Sequence, residues 1–322
     1  QRGIDLNLNN ACNLRCEHCF TNSSKGENVK ETLPLDVVER VADEAHDLGI
    51  FEWDLQGGEL LSRPTILYDT LKALKTERFY VYLTTNGWYM TEEIASILAE
   101  LGVNRVSVSI DSMKAETHDK FRGRKGSWER AINALDLVQK AGMSPYLNIT
   151  VGRYNAQSED VKMLLDYSKQ KKYTTLLNVA TPGGMWAKMT DIMVNEEDKA
   201  HLINMRKKYK NILRNLWNPF DKAREEVLGC NTVNRMYITP AGDVLVCPYV
   251  HIKIGNVKEQ SLREISEKGF SIKHFRDYSS KCLAGEDKDF VTKFMSTEGT
   301  TIFNPVNADD IFGPSDFVTS KN

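Results

Sequence analysis

Six short apolar runs alternate with amphipathic stretches through the first 180 residues of this 322-residue chain. Two parallel strands can follow each other along a chain only through a crossover, which is usually a helix. The alternation therefore predicts an α/β fold with a parallel sheet, which right-handed crossovers would curl into a full or partial barrel. In such folds the chemistry lies at the carboxyl ends of the strands. The predicted strands are residues 4–8, 51–55, 79–83, 105–110, 146–151 and 176–180.

Three of the intervening stretches have the apolar periodicity of a helix. The first ends at Gly49, the second has Thr91 as its predicted N-cap and ends before Gly102, and the third ends before Gly142. Threonine favours helix starts and glycine favours helix ends, so these positions support the assignment. The apolar stripes comprise Val37, Val38, Val41, Ala42, Ala45 and Leu48, then Ile94, Ile97, Leu98 and Leu101, and finally Ala131, Leu135 and Val138.

The rhythm of strands and helices changes after the sixth strand, which divides the chain into three predicted parts. Residues 1–182 form the barrel core, residues 183–229 a charged helical linker, and residues 230–322 a smaller C-terminal part. The last part begins with "RMYITPAGDVLVCPY", whose alternating apolar residues on either side of "PAGD" predict a β-hairpin. Residues 284–322 show little periodicity.

Composition excludes several classes of function. The formal net charge of −2 argues against a nucleic-acid binder, because such proteins neutralise phosphates with an excess of basic residues. No apolar run approaches the ~18–20 residues that a membrane span requires. Six cysteines are too few for a disulfide-built secreted scaffold. We therefore expect a reducing, cytoplasmic setting.

Three of the six cysteines, Cys12, Cys16 and Cys19, lie in "ACNLRCEHCF", directly after the first predicted strand. Three interpretations are open: a zinc site with His18 as the fourth ligand, packed thiols, or an iron–sulfur cluster held by three thiolates. Structural zinc usually takes paired ligands from two places in a chain. Packed thiols would not need the polar residues that lie between these cysteines. Three thiolates leave one iron of a four-iron cluster open to a substrate or cofactor, and we favour this interpretation.

The C-x3-C-x2-C spacing, followed about forty residues later by "GGE" (Gly57, Gly58 and Glu59), resembles the radical S-adenosylmethionine (SAM) superfamily. The resemblance implies a partial (β/α)6 barrel like that of TIM over residues 4–180. It also implies a [4Fe-4S] cluster whose open iron is chelated by SAM. One electron would cleave SAM to methionine and a 5′-deoxyadenosyl radical, which takes a hydrogen atom from a substrate C–H bond.

The resemblance also assigns roles to individual residues. The two glycines would let backbone groups approach the methionine amine of SAM. Glu59 would accept a hydrogen bond from that amine or, alternatively, cap the next helix. His18 stands where the family usually has an aromatic residue near adenine; the alternative is a solvated histidine. Arg122 resembles the residue that pairs with the SAM carboxylate, the alternative being an ordinary surface charge.

Polar residues at the ends of the later strands complete the predicted cofactor site. Ser109 resembles the ribose-contacting position of relatives, whereas Asp111 has capping of a helix as its alternative. Asn148 and Thr150 alternate on the fifth strand and share a face, so with Asn155 they are candidates to bind ribose or adenine. The other predicted members are Thr85, Asn86 and Asn178.

The remaining cysteines, Cys230, Cys247 and Cys282, resemble the auxiliary-cluster extension called SPASM or twitch. The first two are spaced C-x11-G-x4-C around the predicted hairpin. Relatives add a further cysteine pair, but "CLAGEDKDF" offers Cys282 alone. One consequence is an auxiliary [4Fe-4S] cluster whose open iron takes substrate or one of four candidate ligands, Glu286, Asp287, His251 and His274. The other is that no second cluster forms and a thiol donates hydrogen, as in an epimerase.

These features predict a radical SAM oxidoreductase with a flavodoxin- or ferredoxin-type electron donor. The expected substrate is a small polar natural product, such as a sugar or aminocyclitol, or a short peptide, because the chain begins almost at its first strand and shows no N-terminal leader-binding module. Trp186, Tyr249 and His251 are predicted to line the substrate opening. The alternatives are a radical epimerase, a peptide cross-linking maturase and, in another class, a zinc-bearing module without catalysis.

Overall fold

A computed structural model describes residues 1–23, 30–214, 225–226 and 229–318. Within these ranges eleven strands form one sheet. They are β1 (Gly3–Asn7), β2 (Glu52–Gln56), β3 (Tyr80–Thr85), β4 (Val103–Ser109), β5 (Ser144–Val151), β6 (Thr174–Val179), β7 (Ile212–Arg214), β8 (Arg235–Ile238), β9 (Asp243–Cys247), β10 (Val250–Asn256) and β11 (Val306–Asn307).

The helices follow the strands as crossovers in the first two thirds of the chain and cluster near the C-terminus. They are α1 (Leu35–Asp47), α2 (Pro64–Leu74), α3 (Glu92–Glu100), α4 (Ala115–Arg122), α5 (Ser127–Lys140), α6 (Glu159–Lys171), α7 (Glu196–Lys208), α8 (Leu262–Ser271), α9 (Lys273–Arg276), α10 (Lys288–Phe294) and α11 (Ala308–Ile311). Within the described ranges, none of them combines the length and apolarity needed to cross a bilayer.

The sheet runs in the order β11-β10-β9-β8-β1-β2-β3-β4-β5-β6-β7 and is not closed. Strands β1 to β7 pair in parallel, which is the arrangement that alternating strands and helices require. The expected α/β fold with an open, barrel-like parallel sheet is therefore confirmed. All six predicted strands are present, with ends shifted by up to two residues.

The C-terminal part continues the same sheet. Strand β8 pairs in parallel with β1, and β9 and β10 then follow as an antiparallel meander. The predicted hairpin is β8 and β9. Strand β10 was missed, as was β7, which lies in the segment predicted to be helical and pairs with β6. A three-residue strand carries no periodicity, so only pairing with a neighbour reveals it.

A cluster of buried charges joins the two parts of the sheet. Arg235, at the start of β8, donates from Nε to Oδ1 of Asp5 on β1 at 2.5 Å. Its Nη1 donates to Oε2 of Glu52 on β2 at 2.9 Å, and its Nη2 donates to the hydroxyl of Tyr82 on β3. One guanidinium therefore connects four neighbouring strands.

Candidate functional site

The first cysteine loop follows β1 and is held on three sides by backbone hydrogen bonds. Glu59 N–H donates to the carbonyl of Ala11 at 2.6 Å, which ties the loop to the "GGE" turn. Arg15 N–H donates to the carbonyl of Arg122 at 3.1 Å, at the end of α4. Met185 N–H donates to the carbonyl of Cys19 at 2.9 Å. The loop is therefore positioned by three separate segments of the barrel.

The two glycines of "GGE" are required by the packing of this loop. A Cβ atom at Gly58 would lie 2.2 Å from the carbonyl oxygen of Ala11, and one at Gly57 would lie 2.5 Å from that of Asn9. We expected these glycines to admit the cofactor amine. The structure adds a second reason for them, because the cysteine loop itself occupies the space that side chains would need.

Replacing Gly58 with alanine is expected to displace the cysteine loop. The new methyl group meets backbone, which cannot rotate away, so we expect a loss of about 1–3 kcal/mol in the free energy of unfolding. Iron bound at the first cysteine set should fall with it. Iron content after anaerobic reconstitution and thermal unfolding measure the two effects.

The matched control is Gly313→Ala, because the nearest atom to a Cβ there is Oδ2 of Asp316 at 3.9 Å. This variant should keep the iron content and Tm of the parent protein. If the Gly58 and Gly313 variants held equal iron, the packing argument would be wrong.

The carboxyl ends of β1 to β6 surround a cleft of about 950 Å³, its open mouth included. Most predicted site residues line it, namely Cys12, Cys16, Cys19, His18, Gly57, Gly58, Thr85, Asn86, Ser109, Arg122, Asn148, Thr150, Asn178, Trp186 and Tyr249. Of the residues predicted to bind SAM or to line the substrate opening, four are not among those that line it: Glu59, Asp111, Asn155 and His251.

Arg122 and Asp111 form a buried ion pair at the edge of the cleft. Nε and Nη2 of Arg122 each lie 2.6 Å from Oδ2 of Asp111. Burial would raise the pKa of Asp111, but the charge of Arg122, its hydrogen bond and the neighbouring histidines together hold that pKa below its usual value. Asp111 therefore pairs with Arg122, and the predicted alternative of a helix cap is wrong, because the N-cap of α4 is Lys114 and no side chain caps it.

The third guanidinium nitrogen of Arg122 faces the cysteine loop. Its Nη1 atom lies 3.8 Å from Sγ of Cys16. Burial raises the pKa of the Cys16 thiol, and the nearby positive charge of Arg122 counteracts this. Arg122 therefore favours the thiolate form of Cys16, and the alternative of an ordinary surface charge is wrong because the side chain is buried.

The carboxylate of Glu59 holds the end of β3 and caps the turn that follows "GGE". Its Oε1 accepts hydrogen bonds from the Thr85 hydroxyl at 2.6 Å and from Leu61 N–H at 3.0 Å. Its Oε2 accepts one from Asn86 N–H at 2.7 Å. The structure therefore shows the capping contact, and Glu59 bonds Thr85 and Asn86, which line the cleft. Contact between Glu59 and the SAM amine stays a prediction.

His18 belongs to an aromatic group at the mouth of the cleft. Its ring stacks on Phe121 with centroids 4.6 Å apart and an angle of 7°, and it lies 5.6 Å from the ring of Trp186. Burial lowers the pKa of His18 to about 3, so the ring is neutral. The alternative of a solvated histidine is wrong. The flat, neutral surface matches the predicted stacking position without testing it.

Amide and hydroxyl groups form the far wall of the cleft. Nδ2 of Asn178 on β6 donates to Oδ1 of Asn148 on β5 at 2.5 Å. Ser109 and Thr150, at the ends of β4 and β5, line the same wall. Asn155 does not join them, because its amide bonds the backbone of Thr150 and Gly152. Amide and hydroxyl groups can both donate hydrogen bonds to a polar nucleoside and accept hydrogen bonds from it.

The second cysteine set lines a separate cavity of about 610 Å³, its open mouth included. The structure brings Cys230, Cys247 and Cys282 together there, although they are far apart in sequence. Four residues, Asn178, Val179, Thr181 and Tyr249, line both this cavity and the cleft. The two cysteine sets therefore face spaces that share one wall.

The open iron of the auxiliary cluster had four predicted protein ligands, Glu286, Asp287, His251 and His274. None of them is among the residues that line the second cavity. Oε2 of Glu286 accepts a hydrogen bond from Cys282 N–H at 2.8 Å, and Asp287 caps α10. His274 packs among phenylalanine rings and lies 3.4 Å from Oδ1 of Asp316. His251 lines a different cavity. The fourth ligand of the auxiliary cluster therefore stays a prediction.

The donor chemistry of both cavities fits iron–sulfur clusters. Burial raises the pKa of Cys12 and that of Cys247 to about 12, so binding a cluster must displace protons. Three soft sulfur donors line each space, which suits iron–sulfur ligation. The zinc alternative requires at least three His, Cys, Asp or Glu side chains that converge tightly enough to hold one metal ion. The described part of the chain contains no such group.

Several residues of the cleft were missed from sequence. Gln56 ends β2, and Thr181 follows β6 closely, so inspecting every strand end would have found both. Phe121 and Tyr154 do not line the cleft, but their rings pack near Trp186, which does; they come from a helix end and a loop. No sequence signal marks these two, because only the fold brings them together.

Comparison with known proteins agrees with this geometry. Residues 6–167 match the family model of the Radical SAM superfamily, and residues 230–285 match that of the SPASM iron–sulfur cluster-binding domain. The chain is 30% identical over 304 residues to the AdoMet-dependent heme synthase of Methanosarcina barkeri, covering 86% of this chain and 85% of that protein. It is 27% identical to the mycofactocin maturase MftC of Mycolicibacterium smegmatis, covering 80% and 69%.

Solved structures share the fold at low sequence identity. Native anSMEcpe with bound AdoMet superposes with a TM-score of 0.64 at 18% identity, covering 88% of this chain and 84% of that one. Streptococcus suis SuiB bound to its precursor peptide SuiA gives a TM-score of 0.62 at 16% identity. The similarity to SuiB covers 82% of this chain and 64% of SuiB.

Proposed function

The chain belongs to the radical SAM superfamily and carries a SPASM domain, and from this premise we propose that it oxidises an unactivated C–H bond of a short peptide or small polar molecule. The radical SAM domain binds a [4Fe-4S] cluster and SAM, and the SPASM domain binds auxiliary iron–sulfur clusters. The observation that carries the proposal is the shared wall, because a substrate in the cleft would also adjoin the second cysteine set.

The residues of the first set have separable roles in this proposal. Cys12, Cys16 and Cys19 would hold the cluster, which supplies reductive cleavage of SAM when bound. Arg122 keeps positive charge beside Cys16 and offers that charge to an anion in the cleft. Glu59 holds Thr85 in place by the hydrogen bond described above.

Around these residues, the aromatic group at the mouth and the amide wall would hold the nucleoside and restrict the entry of water. Excluding water matters because a reactive radical must meet only the intended C–H bond.

The second set favours oxidation over epimerisation. All six cysteines line one of the two cavities, three in each. If both sets hold clusters, no thiol remains to donate a hydrogen atom. Peptide relatives such as MftC and the PqqA peptide cyclase of Rhizobium meliloti favour a peptide substrate, and cross-linking is the closest alternative outcome. The electron donor of flavodoxin or ferredoxin type and the cytoplasmic setting stay predictions.

Anaerobic reconstitution with iron, sulfide, SAM and a reductant tests the proposal. We expect a brown protein with about seven to eight irons, from two clusters, and release of 5′-deoxyadenosine. Turnover in deuterated water then separates the reactions, because an epimerase would incorporate one solvent deuteron and an oxidoreductase would not. A colourless protein that releases no 5′-deoxyadenosine would overturn the proposal.

A further inference from the structure

A third cavity of about 370 Å³, its open mouth included, lies on the other side of the loop that follows β6. Gly183 and Gly184 of this loop form one wall, His251 and Ile252 of β10 form another, and Met295 lies near the end of α10. Tyr249 lines this cavity, the cleft and the cavity of the second cysteine set. One side chain therefore borders all three spaces.

His251, one of the residues that line this cavity, has a ring nitrogen without a hydrogen-bond partner in the part of the chain that the structure describes. The residue is only 9% exposed, and its Nε2 atom is buried with no hydrogen-bond partner among the described residues. The ring makes a hydrogen bond with the backbone of Pro248, and because Nε2 has no partner the bonded ring atom is Nδ1. A proline backbone has no N–H group, so its carbonyl accepts and Nδ1 donates. A proton on Nδ1 leaves Nε2 with a lone pair, so Nε2 can only accept.

The surroundings determine which group would suit this acceptor. Burial lowers the pKa of His251 to about 4, so the ring is neutral near pH 7. Among the described residues that line the cavity none is acidic, so no carboxylate there would stabilise a cation. A neutral N–H or O–H group is the donor that fits.

An unpartnered buried acceptor is costly for the free protein. Leaving such a group unpaired carries its full desolvation penalty, and most buried polar atoms in proteins therefore have partners. A ligand that supplies the missing donor recovers this cost on binding. The position beside Tyr249 makes the substrate of the cleft the natural source of that donor.

We propose that the third cavity binds the non-reacting end of the substrate through a neutral N–H or O–H donor, which bonds Nε2 of His251. The inference rests on the proposed function in one respect, that a substrate occupies the cleft. Contacts remote from the reacting bond position it and contribute binding energy, which is the role that we assign to His251.

Binding of small donor probes to the cofactor-free full chain tests the proposal. The protein would carry ¹³C-methyl methionine, with the methyl signal of Met295 as the reporter. N-methylacetamide and cyclopentanol supply an amide N–H and a hydroxyl, and N,N-dimethylacetamide and cyclopentanone are their donor-free counterparts. We expect saturable shifts of the Met295 signal with at least one donor probe and none with its counterpart.

Two substitutions locate the acceptor. His251→Gln keeps an acceptor near the place of Nε2, whereas His251→Asn keeps polar contact only near Nδ1. We expect the Gln variant to bind the probes and the Asn variant to bind them about tenfold more weakly, the ratio that corresponds to one hydrogen bond of about 1.4 kcal/mol. The methyl signals of the other methionines show whether each variant is folded.

The outcomes are distinct. Binding of the amide alone indicates a peptide-like end, binding of the alcohol alone indicates a sugar-like end, and either result or both support the proposal. Equal shifts with donor and donor-free probes, or unchanged binding by the Asn variant, would overturn it. The measurement needs no cluster, so its failure leaves the release of 5′-deoxyadenosine unaffected and is distinguishable from failure of the proposed function.

Discussion

Replacing Cys16 with alanine should abolish release of 5′-deoxyadenosine from SAM. Three thiols line the cleft, and with Cys16 removed only Cys12 and Cys19 remain to hold the cluster. Residues that merely support a metal ligand typically contribute 10–100-fold to affinity or activity, so loss of a ligand should lower the release rate by more than about 100-fold. Quantifying 5′-deoxyadenosine after anaerobic reconstitution measures the effect.

The matched control is Cys247→Ala, which alters the second cysteine set alone. Cys247 lines the second cavity and is not among the residues that line the cleft. This variant should lose roughly half of the iron, as expected if each set holds one four-iron cluster, but still release 5′-deoxyadenosine without substrate. Equal release by the Cys16 variant and the parent protein would show that the first set is not the site of SAM cleavage.

The barrel part of the fold was largely predictable because its signals are local. Apolar runs of five or six residues gave β1 to β6, and Thr91 begins α3 as expected, with its hydroxyl accepting from Ile94 N–H. The predicted stripe of α1 is buried at four of its six positions. Patterns of this kind depend on neighbours within one or two turns, which the sequence displays directly.

The union of the C-terminal part with the barrel was not predictable. Strand β8 joins β1 in parallel across more than two hundred residues, and no pattern in either strand specifies that neighbour. The sequence predicted a smaller C-terminal part, and the structure adds that its strands continue the sheet of the barrel. Pairing between distant strands is determined by the tertiary structure. The opposite charges of Asp5 and Arg235 become informative only once the pairing is known.

The site was predictable in its membership more than in its contacts. The family resemblance and the strand ends together identified most residues of the cleft, because the carboxyl ends of parallel strands converge. The roles of Glu59 and Asp111 were harder to infer, since both carboxylates act through other residues. Glu59 holds Thr85 by a hydrogen bond, and Asp111 holds Arg122 by an ion pair. Sequence spacing shows that a carboxylate is near a site but not which donor it contacts.

Replacing Arg235 with leucine is expected to give the largest loss of stability. Its guanidinium contacts Asp5 and Glu52, and removing it leaves both carboxylates buried with less compensation. Breaking a buried ion pair in this way typically costs about 3–5 kcal/mol, because the remaining charge cannot be solvated. At roughly 2–4 °C per kcal/mol for a protein of this size class, Tm should fall by about 10 °C. Thermal unfolding by circular dichroism measures the shift.

Arg263→Leu is the matched control, because Arg263 is exposed on α8 and the same side chain is exchanged. We expect its Tm to match that of the parent protein. Adding Asp5→Asn to the Arg235 variant should restore part of the lost stability, since one uncompensated charge is then removed. Glu52 is less affected by the loss of Arg235, because it keeps its contact with Arg2 at 2.9 Å. A Tm for the Arg235 variant equal to that of the Arg263 variant would mean that the guanidinium does not stabilise the junction. In that case β8 would be held to β1 by backbone pairing and apolar packing alone.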